Sequence, residues 1–215
     1  MFSPCFIITK RMDTKVNILI DGGFFKRKYK ERTGKHADAE AVAKEVSIIM
    51  KKLQEKSGDT CRDILMRIYY YDCSPFGGKV RKPDTKEEVD YSNTKIHEAT
   101  ERMLRELKHK EQFAVRLGEL SFDGWEKKEN VKQDGRTETY YTPKLKQKGV
   151  DMKVGLDMAL MALKHTADKI VLVAGDSDFV APMKFARKEG LLVYLYSMGH
   201  RVKPVLTEHC DFLLS

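Results

Sequence analysis

Four aspartates stand at positions where a chain can gather carboxylates: Asp21, Asp151, Asp176 and Asp178. Asp21 closes the apolar run Val16 to Ile20 and precedes Gly22-Gly23. Asp176 and Asp178 follow the apolar run Ile170 to Ala174 in the block Gly175-Asp176-Ser177-Asp178-Phe179, and Asp151 opens an apolar helix between the two runs. In an open parallel sheet, sites form beyond the carboxyl ends of the strands, so residues this far apart in sequence can meet on one rim. Carboxylates brought together repel, and each resists ionising alone. A hard divalent cation removes that cost, and an all-oxygen donor set selects Mg²⁺ or Mn²⁺ over zinc. Such a centre suits phosphodiester hydrolysis, because the ion acidifies a bound water and stabilises the departing oxygen. No convincing Ser-His-Asp or Cys-His arrangement competes with it.

Each aspartate also has a plainer use. Asp21 could start a turn, Asp178 could cap the following helix, and Asp151 could complement a helix dipole. Asp157, six residues beyond Asp151, is rotated roughly 120° from it and lies roughly 9 Å further along the axis. It cannot share that face, and a carboxylate among Val154, Leu156, Met158 and Ala159 needs a partner. It is expected to support the site from behind or to serve the fold.

The elements that must position these residues alternate. Val16 to Ile20 reads as a central strand, and Phe24 to Arg32 as a short basic helix or loop. A helix capped by Asp38 runs to about Ser57, with Gly58 after it. Ile64 to Tyr71 reads as a strand and Cys73 to Pro83 as a loop. A long amphipathic helix lies within Asp84 to Lys110, with Ile96, Met103, Leu104 and Leu107 on one stripe. Phe113 to Leu117 is a short strand. Val150 to Leu163 is a nearly all-apolar helix, followed by strand Ile170 to Ala174, helix Ala181 to Lys188 and strand Leu191 to Tyr196. A short helix around Val205 and a strand Asp211 to Leu214 close the chain. This order predicts an α/β fold: a mainly parallel central sheet covered by helices, in three α/β/α layers.

The 215 residues fit one domain, taken as 16–215, with 1–15 as a candidate N-terminal leader. Met12 precedes the first strand, and the first eleven residues read as a leader or as an artefact of start-site choice. Residues 118–148 look like a basic, hairpin-like insertion, with Asp123-Gly124 and Asp134-Gly135 as turn signals. No apolar run approaches the ~20 residues of a membrane span. Cys5, Cys61, Cys73 and Cys210 lack Cys-x-x-Cys spacing and read as free thiols of a reducing, cytoplasmic protein.

A formal net charge of +8 favours an anionic partner. Lys26, Arg27, Lys28, Lys30 and Arg32 follow the Asp21 loop and could hold phosphates beside the aspartates. The insertion sets Lys127, Lys128, Lys132, Arg136, Lys144, Lys146 and Lys148 beside Trp125, Tyr140 and Tyr141, a mixture that suits single-stranded nucleic acid. Both groups could equally be solvated faces. His165, His200 and His209 have no recognisable catalytic partner.

Three segments carry a resemblance: Asn17-Ile18-Leu19-Ile20-Asp21-Gly22, then Lys148-Gly149-Val150-Asp151 with Asp157, then Ile170 to Phe179. With Gly199-His200, Leu206 and Asp211-Phe212 near the end, they resemble the NYN family of PIN-like nucleases from Val16 to Leu214. The resemblance implies a Rossmann-like PIN fold, a Mg²⁺ or Mn²⁺ site on Asp21, Asp151, Asp176 and Asp178, and action on RNA. The family often carries Asn soon after the first Asp-Gly, where this chain has Gly23-Phe24. The expected function is therefore a metal-dependent ribonuclease. The alternatives are a catalytically weak nucleic-acid-binding module and a small-molecule phosphohydrolase, the latter requiring a closed pocket.

Overall fold

The computed structural model describes residues 11–131 and 137–214. Strand β1 (Met12–Asp21) leads into α1 (Gly22–Thr33) and α2 (Ala39–Ser57), followed by β2 (Cys61–Cys73). Two short strands, β3 (Lys79–Arg81) and β4 (Glu88–Asp90), pair with each other before α3 (Lys95–His109). A long hairpin of β5 (Phe113–Val131) and β6 (Thr137–Lys148) precedes α4 (Val150–Leu163). The last elements are β7 (Lys169–Val173), α5 (Val180–Lys188), β8 (Leu192–Tyr196), α6 (Pro204–Glu208) and β9 (Phe212–Leu214).

The main sheet has the order β6-β5-β2-β1-β7-β8-β9. All its pairings are parallel except β5 with β6. The expected neighbours β1 and β7 lie side by side at the centre, with Ile20 opposite Val173, so both chains leave the sheet at the same edge. The fold is α/β with a mostly parallel sheet, as the alternation predicted.

Side chains alternate across a strand, and the core divides accordingly. Val16, Ile18 and Ile20 join Val171 and Val173 in one cluster with Phe25 of α1, Ile49 of α2 and Leu107 of α3. Leu19, Ile170 and Leu172 face the other way, onto Val154 and Met158 of α4, Met183 of α5 and Leu206 of α6. The near-unbroken apolar runs of β1 and β7 follow from this burial on both sides.

Several boundaries differ from the sequence reading. β1 starts at Met12, since Met12 to Lys15 pair with Cys61 to Ile64 despite their polarity. The expected loop after Cys73 contains β3. The helix expected within Asp84 to Lys110 starts only at Lys95, because Asp90 caps a 3₁₀ turn, Tyr91–Asn93, ahead of it. Ile96 is consequently in the first turn of α3, 77% exposed, while Met103, Leu104 and Leu107 are buried. β5 runs far beyond Leu117. Asp123-Gly124 forms no turn; it lies at a register shift within the hairpin, where Gly124 has φ 94°. Helix α4 buries one face only and leaves Met152, Leu156, Leu160 and Leu163 exposed. The expectations for a leader over residues 1–10, for Cys5, for Asp134-Gly135 and for Lys132 and Arg136 lie outside the described residues. Cys61, Cys73 and Cys210 are free thiols. Among the described residues no helix is long and apolar enough to cross a membrane.

Candidate active site

Asp21 ends β1 and caps α1. Its Oδ1 accepts hydrogen bonds from the backbone N–H of Gly23 (2.9 Å) and Phe24 (3.2 Å), which fixes the carboxyl at the sheet edge. Phe24 then reaches over the end of β7: a Cβ on Gly175 would meet its ring at 2.5 Å. Only glycine permits that approach, and it locks the Asp21 loop against the Asp176 loop. Asp176 Oδ1 accepts from the N–H of Asp178 at 3.2 Å, capping the 3₁₀ turn Ser177–Phe179. Asp151 is in the first turn of α4, after Gly149 in the left-handed conformation (φ 78°).

Three of the four predicted carboxylates share one cavity. A pocket of about 480 Å³ is lined by Asp21, Asp151 and Asp176, with Arg27, Gln147 and Lys203 also on its wall. Asp178 does not line it, although its charge acts on Asp151. Nor does Asp178 cap α5, whose N-cap is Phe179. Burial pushes the Asp21 carboxyl up to about 6, aided by the charges of Asp151 and Asp72 and opposed by the two backbone donors. Asp151 is likewise raised, by partial burial and then by Asp176 and Asp178. The carboxylates therefore sense one another electrostatically.

Asp72 was missed in the sequence. It is the penultimate residue of β2, directly beside the Asp21 end of β1, and it is 2% exposed. A Cβ on Gly22 would meet Tyr71 O at 2.7 Å and Asp72 Oδ2 at 2.9 Å, so glycine lets the two strand ends close up. The signal was present, because Asp72 follows the strand Ile64 to Tyr71 as Asp21 follows its own strand. Lys203 was missed too; its Nζ donates to Ser177 Oγ at 3.0 Å. Gln147, near the end of β6, had no motif to mark it.

The predicted basic residues fare unequally. Lys26 is engaged by Asp72 (2.7 Å) and Lys28 by Glu31 (2.6 Å), leaving Arg27 as the member of that trio on the pocket wall. Lys144 and Lys146 both lie near Asp123, at 3.5 and 2.7 Å. Lys127 and Lys128 pair with Glu129 and Glu126. Lys148 ends β6, exposed and off the pocket wall. Trp125 is no free stacking platform: its ring packs edge-on against Phe122 (5.7 Å) and its Nε1 donates to Arg81 O (3.0 Å). No histidine lines the acidic pocket. Asp157 points elsewhere, accepting from Tyr71 Oη (2.9 Å) and Arg116 Nε (3.3 Å).

The donor set is all-oxygen and anionic, which fits a hard divalent cation in kind. In spacing it is looser. Among the described residues no group of three or more His, Cys, Asp or Glu side chains stands ready to hold a metal ion.

The sequence profile of the NYN domain matches residues 15–214. The chain belongs to the NYN domain family. That family lies within the PIN-like nuclease superfamily and has a nuclease-like fold. Among solved structures, a protein of unknown function from Vibrio parahaemolyticus is similar at 15% identity, with a TM-score of 0.49, over 94% of this chain and 91% of that one. No curated protein matches.

Proposed function

We propose that this NYN domain is a Mg²⁺- or Mn²⁺-dependent ribonuclease that hydrolyses phosphodiester bonds in single-stranded RNA at the acidic pocket. The observation that supports this most is the meeting of Asp21, Asp151 and Asp176 in one cavity with Arg27 and Lys203 on its wall. Two core clusters on opposite faces of the sheet support the three-layer form of the PIN-like fold.

Asp21, Asp151 and Asp176 are the residues that would hold the ion. When bound, it supplies a Lewis acid that acidifies water and offsets charge on the phosphodiester. The chain's own groups do the rest. Carboxylates alone repel a phosphate, so Arg27 and Lys203 are needed to bind its oxygens. Lys203 is steadied by Ser177, the neighbour of Asp176. Asp21 and Asp176 are each held by backbone N–H groups, so their positions are set before substrate arrives. Asp178 contributes field at Asp151 rather than a place on the wall.

A small-molecule phosphohydrolase is disfavoured, because it requires a closed pocket, whereas this one borders a second cavity at Gln147, an arrangement that suits a larger ligand. A catalytically weak binding module is the second reading. Its support is Gly23, which puts no side chain into the pocket where the family often has Asn. Labelled single-stranded RNA and DNA, incubated with the pure protein and Mn²⁺ or chelator, decide between them. The first reading expects chelator-sensitive cleavage of RNA; binding without cleavage under every metal condition favours the second.

A further inference from the structure

A cavity of about 310 Å³ adjoins the acidic pocket. Its walls come mainly from the β2–α3 connector, the start of α3 and the β5–β6 hairpin, with Lys26 of α1 and Asp72 and Cys73 at the end of β2 completing them. The connector between β2 and α3 gives Phe76 and Tyr91, the first turn of α3 gives His97, and strand β6 gives Pro143, Leu145 and Gln147. Residues two apart on a strand face the same side, so β6 presents Pro143, Leu145 and Gln147 as one row. The row ends at Gln147, which also lines the acidic pocket. A Cβ on Gly23 would lie 3.5 Å from Gln147 Nε2, which sets this amide against the Asp21 loop.

The cavity walls are braced. The Phe76 ring lies 5.8 Å from that of Tyr91 and 6.1 Å from that of Phe122, stacked on the latter. Phe122 packs on Trp125, which is tied to Arg81 of β3 by the indole hydrogen bond. Hairpin and connector thus form one unit around the opening. The cavity is mainly apolar, with a few polar groups, among them the paired Lys26 and Asp72, the composition of a site for a flat, largely apolar ligand with a polar edge.

We propose that this cavity receives one unstacked nucleobase of the strand whose phosphate lies in the acidic pocket, with Gln147 between base and phosphate. The proposal rests on reading the acidic pocket as a phosphodiester site. Leu145 and Gln147 are about 6.6 Å apart along the strand, about the reach from a phosphate to the base of its own nucleotide. An aromatic-walled cavity takes any base by stacking and apolar contact. A base held in duplex would have to leave its stack to enter, so the cavity selects single strands. The hairpin is then part of the binding surface through the apolar row of β6, and its lysines are not the reason.

The test is binding of short labelled RNA oligonucleotides in chelator, each with one abasic position, scanned along the strand. The expected result is a loss of about tenfold in affinity at one position and little elsewhere. Leu145→Trp, checked by thermal melt, fills the cavity; it is expected to bind intact RNA as weakly as wild type binds that abasic RNA. A flat abasic scan, no binding, or a folded Leu145→Trp that keeps its base dependence would overturn the proposal. Cleavage with Mn²⁺ is measured alongside. Cleavage with a flat scan removes the base pocket alone; a peaked scan without cleavage keeps the base pocket and removes the nuclease reading.

Discussion

Lys26 Nζ lies 2.7 Å from Oδ2 of Asp72, a carboxylate almost wholly enclosed at the end of β2. The same oxygen is 3.4 Å from the Tyr70 hydroxyl, and Oδ1 accepts from the Cys73 N–H at 2.8 Å. The lysine therefore neutralises a buried charge beside the acidic pocket. Its first duty is to the fold, although its place near Asp21 suggested a phosphate contact.

Lys26→Ala leaves Asp72 enclosed without its cation. The expected loss is about 1–3 kcal/mol, reduced from a fully buried pair because the lysine is partly exposed. Adding Asp72→Asn should restore part of it. Lys28→Ala, which breaks a surface pair with Glu31, should change stability by less than about 0.5 kcal/mol. Thermal melts of the three variants check this; equal melts for Lys26→Ala and Lys28→Ala would contradict it.

In the metal-free protein, Asp21 should make stability fall as pH rises. Its folded carboxyl sits at about 6 against an ordinary value of 3.8, held up by burial. The folded chain keeps the proton that the unfolded chain has released, so the contribution is full below about pH 4 and gone above about pH 6. Asp21→Asn should therefore stabilise the metal-free protein at pH 7.5, by about 1–3 kcal/mol. Mn²⁺ should raise the melting temperature of wild type more than that of the variant. Destabilisation by Asp21→Asn without metal would show that the carboxyl is not strained by burial.

Salt dependence should follow Arg27 and Lys203. Replacing both with Ala should weaken RNA binding and lower the slope of log affinity against log salt by about 1.4, two phosphate contacts on a single strand. Lys144→Ala with Lys146→Ala should change the slope less, since both cations lie by Asp123. The reverse order in a salt titration would move the phosphate path onto the hairpin.

Asp157→Asn should cost stability and spare cleavage. It weakens bonds from Tyr71 and Arg116, worth about 1–3 kcal/mol together. A stable but inactive variant would bring Asp157 into the chemistry.

What the sequence made legible depends on how local the cause was. Two enclosed strands leave unbroken apolar runs, and the acid after each run is set by the carboxyl-end rule; hence Asp21, Asp176 and their adjacency could be read directly. Asp38, Gly58 and the α4 boundaries were legible because caps and helical spacing act within a few residues. Asp72 obeyed the same strand-end rule, yet its burial depends on Gly22 and Lys26 from another strand connection. The pairings of Lys28, Lys144 and Lys146 were not legible, because a surface lysine's partner is chosen by tertiary proximity. Nor was the length of β5, where polar residues extend a strand by pairing with β6 beyond the core. Gln147 reaches the pocket only because that hairpin returns to the sheet edge.

The most direct measurement is cleavage of labelled single-stranded RNA at saturating Mn²⁺ by wild type and by Asp176→Asn, with melts of both. Asp176→Asn keeps the shape and the acceptor for the Asp178 N–H while removing one charge from the pocket. The account predicts a folded variant whose rate falls on the order of a hundredfold, as when a principal electrostatic stabiliser is removed. Wild-type cleavage by Asp176→Asn would contradict it.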